Sequence, residues 1–335
     1  HRSNGILGFM LQIKNQFVVK SIVSFVCMFV FQLSLAQAAS IYDPEHNWRT
    51  IESPRFDVHY PDEEGYRNLA IRISRIAESS LDDVAKLAGF MPEGRIDIVV
   101  SDFSDEVNGS ATVMPRNTLR LYVAAPTENT GLAFYDDWLR LLVIHELAHI
   151  CDIDQTWGFT RFLRWIFGKY ISMNGFTPQF LSEGYAVFAE TVLTKTGRGR
   201  SSYVAMLLRT AALEDQFLNI DQAHIMYSDW PGGNGAYFYG GLFHLYLAER
   251  FGKDKVAALH RFNAALPIPY FYYPASKSKF DASLPALWED FRLKVKAEAL
   301  AVEKELKAKG LTQSRAIPTH GRNVTGPRYS ADGSY

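Results

Sequence analysis

The ten residues Leu141-Leu142-Val143-Ile144-His145-Glu146-Leu147-Ala148-His149-Ile150 set two histidines and a glutamate in an almost unbroken apolar run. Such a run reads as a buried helix, predicted over roughly 134–151. Positions i and i+4 of a helix share a face one turn apart, so His145 and His149 present both imidazoles to one point. Zinc takes imidazole nitrogen at about 2.0–2.1 Å, and two ligands at this spacing fit one ion. Glu146 follows His145 by one residue, rotated away from ligation but within reach of a water at the metal.

Working outward, a catalytic zinc needs a third protein ligand and an open position. Glu183, in Phe180-Leu181-Ser182-Glu183-Gly184-Tyr185-Ala186, is an acid in a largely apolar helical stretch. That placement is costly unless the acid is paired or metal-bound. Glu190 lies seven residues on, on the same face and among apolar neighbours. Ligating histidines usually give their second N–H to a carboxylate, which makes Glu190 the expected partner of one of them.

The rest of this half is helical by pattern: 159–171, 178–195, 201–215, 235–251, 253–264 and 284–309. Pro267–Pro274 reads as an aromatic, proline-rich loop. Trp157–Phe180 carries many aromatics with Arg161, Arg164 and Lys169. Three cations are few for a membrane surface, so its helix is expected to pack Phe162, Trp165 and Ile166 over the core. His224, His244 and His260 read as structural or surface histidines. Cys151 reads as packing, because i+2 from His149 points to another face. Asp152 and Asp154 are either partners of the ligands or a solvated helix end.

Upstream, Thr50–Tyr60 alternates as a strand and Glu63–Phe90 has helical spacing. Arg95–Phe103, Ser110–Met114 and Leu119–Ala125 are further strands. A sheet followed by helices is α+β organisation.

The H-E-x-x-H segment, followed by Phe180-Leu181-Ser182-Glu183-Gly184-Tyr185-Ala186 and a second Glu seven later, resembles the gluzincin zinc metallopeptidases. These include the thermolysin-like catalytic domains of the M1 type and the bacterial peptidase MA-like domains. The resemblance covers roughly residues 134–251. It implies a thermolysin-like α+β domain holding one Zn2+ per chain through His145, His149 and Glu183, with Glu146 as the acid/base. It also implies a tyrosine that stabilises the oxyanion. Ala236-Tyr237-Phe238-Tyr239-Gly240 is similar to the family's Y-x-x-G motif with Tyr237 in that role, and Tyr239 is the alternative. No G-x-M-E-N segment is present, and aminopeptidases use that strand to bind a free amine. The implied activity is therefore endopeptidase cleavage of a peptide or protein substrate, and Leu119–Ala125 is the edge expected to pair with it. The rival expectation is a zinc-binding scaffold with little turnover.

Composition narrows the partners. Among 335 residues, 35 Lys+Arg balance 36 Asp+Glu, which gives no electrostatic reason to expect nucleic acid. Two cysteines exclude a disulfide scaffold. Met10, Lys14 and Lys20, the apolar run Ile22–Leu35 and the exit Ala36-Gln37-Ala38-Ala39 form a signal-peptide pattern. The run is too short for the roughly 20 residues of a membrane span. Residues 1–38 are thus expected to be upstream sequence plus a signal peptide, leaving an exported chain without a transmembrane anchor, periplasmic or secreted from a Gram-negative bacterium. Pro327-Arg328-Tyr329-Ser330-Ala331-Asp332-Gly333 resembles the start of a blade in TolB-like β-propellers. By that resemblance 316–335 begins a propeller, which brings a propeller-mediated protein partner. The metallopeptidase unit is then 39–315, with a sheet lobe at about 49–130 and a helical lobe at about 131–310.

Overall fold

The computed structural model describes residues 46–101, 107–124, 126, 135, 137–224, 233–268, 272–314 and 331–332. The expected leader, 1–38, and nearly all of the expected propeller start lie outside the described residues.

Phe56, Val58 and Tyr60 alternate against Asp57 and His59 and bury one face of strand β2 (Phe56–Pro61). The single strand predicted over Thr50–Tyr60 is in fact a hairpin. Strand β1 (Trp48–Glu52) runs antiparallel to β2, with Ile51 opposite Val58. Pro54 breaks it, because proline has no N–H for a ladder. The turn is fastened by Glu78, which accepts from Ser53 Oγ, Arg55 N and Arg55 Nε, each at 2.8 Å. Glu78 belongs to helix α1 (Tyr66–Ala88), whose buried stripe includes Ile73, Ala77, Leu81 and Val84. The helix stops at Gly89, in the left-handed conformation with φ 66°, as a C-terminal glycine does.

Strand β3 (Ile96–Ser101) is buried throughout, and β4 (Val107–Thr112) and β5 (Thr118–Val123) follow. The sheet order is β1-β2-β3-β5-β4, with β2, β3 and β5 parallel and both outer strands antiparallel. This corrects the expected edge. Strand β5 is internal, with Leu119 and Leu121 fully buried, and the outer strands of the described sheet are β1 and β4, the latter with Asn108, Ser110 and Thr112 exposed. Strand order depends on contacts between strands, and the alternation within one strand does not encode it.

The chain then becomes helical: α2 (Trp138–Ile153), α3 (Phe159–Phe167), α4 (Gln179–Leu193), α5 (Ser202–Leu213), α6 (Gly235–Phe251), α7 (Lys253–Ala264), α8 (Tyr272–Phe280) and α9 (Leu284–Lys309). Strands first and helices after is the α+β order expected. Helix α8 replaces part of the expected loop, since Pro274 falls in its first turn, where no helical N–H bond is lost. Helix α2 is buried continuously from Leu141 to Asp152 and packs against α1, α4 and the sheet. Helices α4 and α6 touch backbone to backbone. A Cβ on Gly184 would lie 2.4 Å from the Gly240 carbonyl carbon, and one on Gly240 would lie 2.1 Å from the Phe180 oxygen. Only glycine permits that approach, and it sets Glu183 and Tyr237 side by side.

Helix α3 overturns its expectation. Phe162, Trp165 and Ile166 face outward, and Thr160 is the buried residue of the helix. The period predicts the apolar stripe, but a period does not say which side meets the core. Among the described residues, no helix is long and apolar enough to cross a membrane.

Candidate metal centre

Helix α2 opens at Asp137, whose carboxylate accepts from the Arg140 N–H at 3.1 Å and also pairs with Arg72. Two turns on, His145 and His149 project from one face with ring centroids 4.9 Å apart. Both Nε2 atoms converge on Glu183 Oε2, at 3.3 Å from His145 and 3.2 Å from His149. These three side chains form the one metal-competent cluster of His, Cys, Asp and Glu among the described residues. Ligand atoms around a tetrahedral zinc with bonds of 2.0–2.1 Å lie about 3.3 Å from one another, so the donor set and its spacing fit that ion. Glu183 is the most accessible of the three, with its side chain one-fifth exposed.

Glu190 is fully buried, with Oε2 3.1 Å from His145 Nδ1. Nδ1 lies between Glu190 Oε2 and Arg198 Nη2, the latter 2.8 Å away; with its proton directed to Glu190, Nε2 is left bare, the tautomer a metal requires. Arg198 clamps the same carboxylate: its backbone N–H and Nε reach Oε1 at 2.9 Å, and Nη2 reaches Oε2 at 2.8 Å. Burial would raise the Glu190 carboxyl, but the charge and hydrogen bonds of Arg198, helped by His145, hold it down at about 2. Arg198 was not legible in the sequence. The available signal was that a buried carboxylate shared with a neutral histidine needs a cation, and Arg198 and Arg200 are the nearest ones after α4.

Glu146 is buried beside the histidines. Burial pushes its carboxyl up, against the pull of His145 and His149. Its space is provided by β4, because a Cβ added to Gly109 would come 2.5 Å from Glu146 Oε1. Gly109 is thus a second residue that motif analysis missed. For Glu183 burial opposes ionisation, but His149 and His145 hold it well below the usual carboxylate range. For His149 burial favours the neutral ring, but Glu183 outweighs it and lifts the pKa to about 9 in the metal-free site.

Tyr237 lies at the cluster, its ring stacked 6.1 Å from His145 and 5.0 Å from the Arg198 guanidinium carbon. Burial, and then the charge of Glu183, push its phenol well above its ordinary value. Tyr239 points elsewhere, packed between Phe217 at 4.8 Å and Trp288 at 6.3 Å. Asp152 and Asp154 are both buried, so the solvated helix end is excluded. Neither is hydrogen-bonded to a ligand. Asp152 pairs with His260 at 3.0 Å, and Asp154 pairs with Arg164 and Lys169. His244 and His260 are buried together, and His224 Nδ1 accepts from the Gln179 N–H.

No family model matches this chain, and no curated protein does. Solved structures share a weak likeness. The M1 zinc metallopeptidase from Deinococcus radiodurans is 13% identical over 84% of this chain and 54% of its own, with a TM-score of 0.39. A mutant of an M1 zinc metallopeptidase from that organism bound to a Tyr-Ser-Ala substrate is 15% identical over 75% and 51%, with a TM-score of 0.38. A two-domain M1 mutant bound to L-tryptophan gives 14%, 75%, 51% and 0.38. This chain spans about half the length of the structures it matches. At that level of likeness, what the site can do is decided by its own atoms.

Proposed function

We propose that this chain is a zinc metallopeptidase of the gluzincin type, with His145, His149 and Glu183 holding one zinc ion. The observation that carries it is the convergence of two imidazole nitrogens and a carboxylate oxygen at 3.2–3.3 Å, with a buried glutamate one residue from the first ligand. Zinc, when bound, supplies a Lewis acid that polarises the scissile carbonyl and acidifies water beside it. The protein's own groups do the rest. Glu146, raised by burial, takes a proton from the attacking water and returns it to the leaving amine. Tyr237 keeps its proton over the working range and donates it as a hydrogen bond to the carbonyl oxygen as charge develops there. Arg198 and Glu190 fix the ring of His145 without touching substrate. An extended peptide pairs along the outer edge of β4, whose Gly109 lets the backbone come close to Glu146. That edge and the lack of a G-x-M-E-N segment support an endopeptidase. The leader pattern of residues 10–38 supports export.

The test is metal analysis with a peptide-library assay on wild type and Glu146→Gln. One zinc per chain is expected in both, with cleavage reduced by roughly 10²–10⁴ in the variant. Wild-type protein that binds no zinc would overturn the assignment. Full cleavage by Glu146→Gln would remove Glu146 from its role.

A further inference from the structure

Helix α3 is built inside out. Thr160 is fully buried and Arg164 largely so. Phe159, Phe162, Trp165, Ile166 and Phe167 are 50–81% exposed, and Tyr170, in the following turn, is 74% exposed. Polar contacts hold its inner face. The Thr160 hydroxyl donates to the Ala264 carbonyl at 2.6 Å, and Arg164 donates to the Ile171 carbonyl at 2.7 Å. Arg164 and Lys169 both pair with the buried Asp154, near the C-terminal end of α2. An amphipathic helix that serves only folding turns its apolar stripe inward. Here the polar stripe is tethered inward, and a file of rings, Phe159–Phe162 at 6.2 Å and Phe162–Trp165 at 6.3 Å, is left in water. Exposed apolar surface of this extent marks an interaction site.

We propose that this aromatic ridge inserts into the interfacial layer of a lipid bilayer and holds the chain at a membrane surface. Three observations select a bilayer. First, six side chains are far fewer than the roughly 20–30 residues a side of a stable protein interface. Large aromatic rings, about 150–250 Å² each, still give the apolar area on which interfacial insertion depends. Second, Trp and Tyr are the residue types of the membrane–water boundary. Third, from Gln155 to Pro178 the chain carries Arg161, Arg164 and Lys169 and no acid, so this segment does not repel lipid phosphates. Glu93, 3.7 Å from Arg161, is the acid that approaches it. Asp154 engages Arg164 and Lys169, and Glu93 approaches Arg161, so each cation of the segment has an acid beside it. The attraction is therefore apolar rather than ionic.

Co-sedimentation of the full chain with phosphatidylcholine vesicles tests this. The wild type is expected to pellet with vesicles in excess. Adding phosphatidylglycerol or salt should change binding by less than about fivefold, the effect of one cation near the surface. Brominated lipid should quench wild-type fluorescence more than that of Trp165→Phe. Replacing Phe162, Trp165 and Phe167 together by Ser should weaken binding at least tenfold while leaving the unfolding temperature and zinc content unchanged. Trp165→Ser alone should give a smaller loss and serves if the triple variant folds poorly. Wild type that stays in the supernatant, or variants that bind equally well, overturn the proposal. Binding abolished by salt overturns apolar insertion. A dimer in gel filtration that the triple variant dissolves assigns the ridge to protein contact and overturns it too.

Discussion

Two buried histidine pairs lie in the helical half, and chemically they are opposites. His145 turns Nδ1 to Glu190, and His260 turns Nδ1 to Asp152 at 3.0 Å. By that criterion alone both resemble oriented metal ligands. The remaining nitrogens differ. In the first pair both Nε2 atoms meet the partly exposed carboxylate of Glu183. In the second, His244 Nε2 and His260 Nε2 face each other at 3.3 Å, and His244 Nδ1 lies 2.8 Å from the Gly240 carbonyl. All four ring nitrogens of the second pair thus face protein atoms, and both rings are buried. A carboxylate behind an imidazole therefore does not make a ligand. An anionic donor at the convergence point and an approach from solvent are also needed, and only the first pair has them.

Removing one ring from each pair should separate them most widely. His149→Ala is expected to weaken zinc binding by more than the roughly 10–100-fold typical of losing an orienting partner. His260→Asn should leave zinc affinity within a fewfold of wild type. Competition against a chelator of known affinity measures both, and comparable losses would collapse the distinction. Next in size is Arg198→Met, which strands Glu190 as a buried charge. Breaking a buried pair in this way costs about 3–5 kcal/mol, readable by denaturant unfolding. Adding Glu190→Gln should recover part of that loss. Lys294→Met, at an exposed pair with Glu249, is the control and should cost no more than about 1 kcal/mol. An Arg198→Met protein as stable as the control would show that the clamp is not needed.

The same contrast explains what was legible in the sequence. Helices α6, α7 and α9 end where their apolar period and flanking glycines place them, because both signals are local. Spacing singles out His145, Glu146 and His149, an acid among apolar neighbours singles out Glu183 and Glu190, and the resemblance adds Tyr237; the structure gathers them at one place. Arg198 and Gly109 were not, since each matters through an atom from a distant segment. The hairpin at Pro54 and the edge position of β4 were missed for a related reason: local alternation does not encode strand pairing. Helix α3 shows the limit most clearly, because its stripe was visible and the side it faces was not.

An effect smaller than the loss of the clamp sharpens the comparison through pH. Burial, then the neighbouring His260, holds His244 down at about 3, against 6.5 for a free ring. A depressed histidine contributes stability that is complete above pH 6.5 and is lost as pH falls toward 3, because the unfolded chain takes up the proton first. Between pH 6.5 and pH 5 this amounts to about 2 kcal/mol. His149 in metal-free protein is displaced the other way, to about 9. Its pairing with Glu183 contributes fully below pH 6.5 and is lost as pH rises through 9. Urea unfolding of chelator-treated protein across this range should therefore show two limbs. His244→Asn should flatten the acid limb and His149→Gln the alkaline one, each leaving the other limb in place. Carboxylates such as Glu190 add to the acid limb in both proteins, so the difference between wild type and His244→Asn is the quantity to read. Parallel acid limbs would mean that His244 is not held neutral by burial, and the two pairs would no longer be opposites.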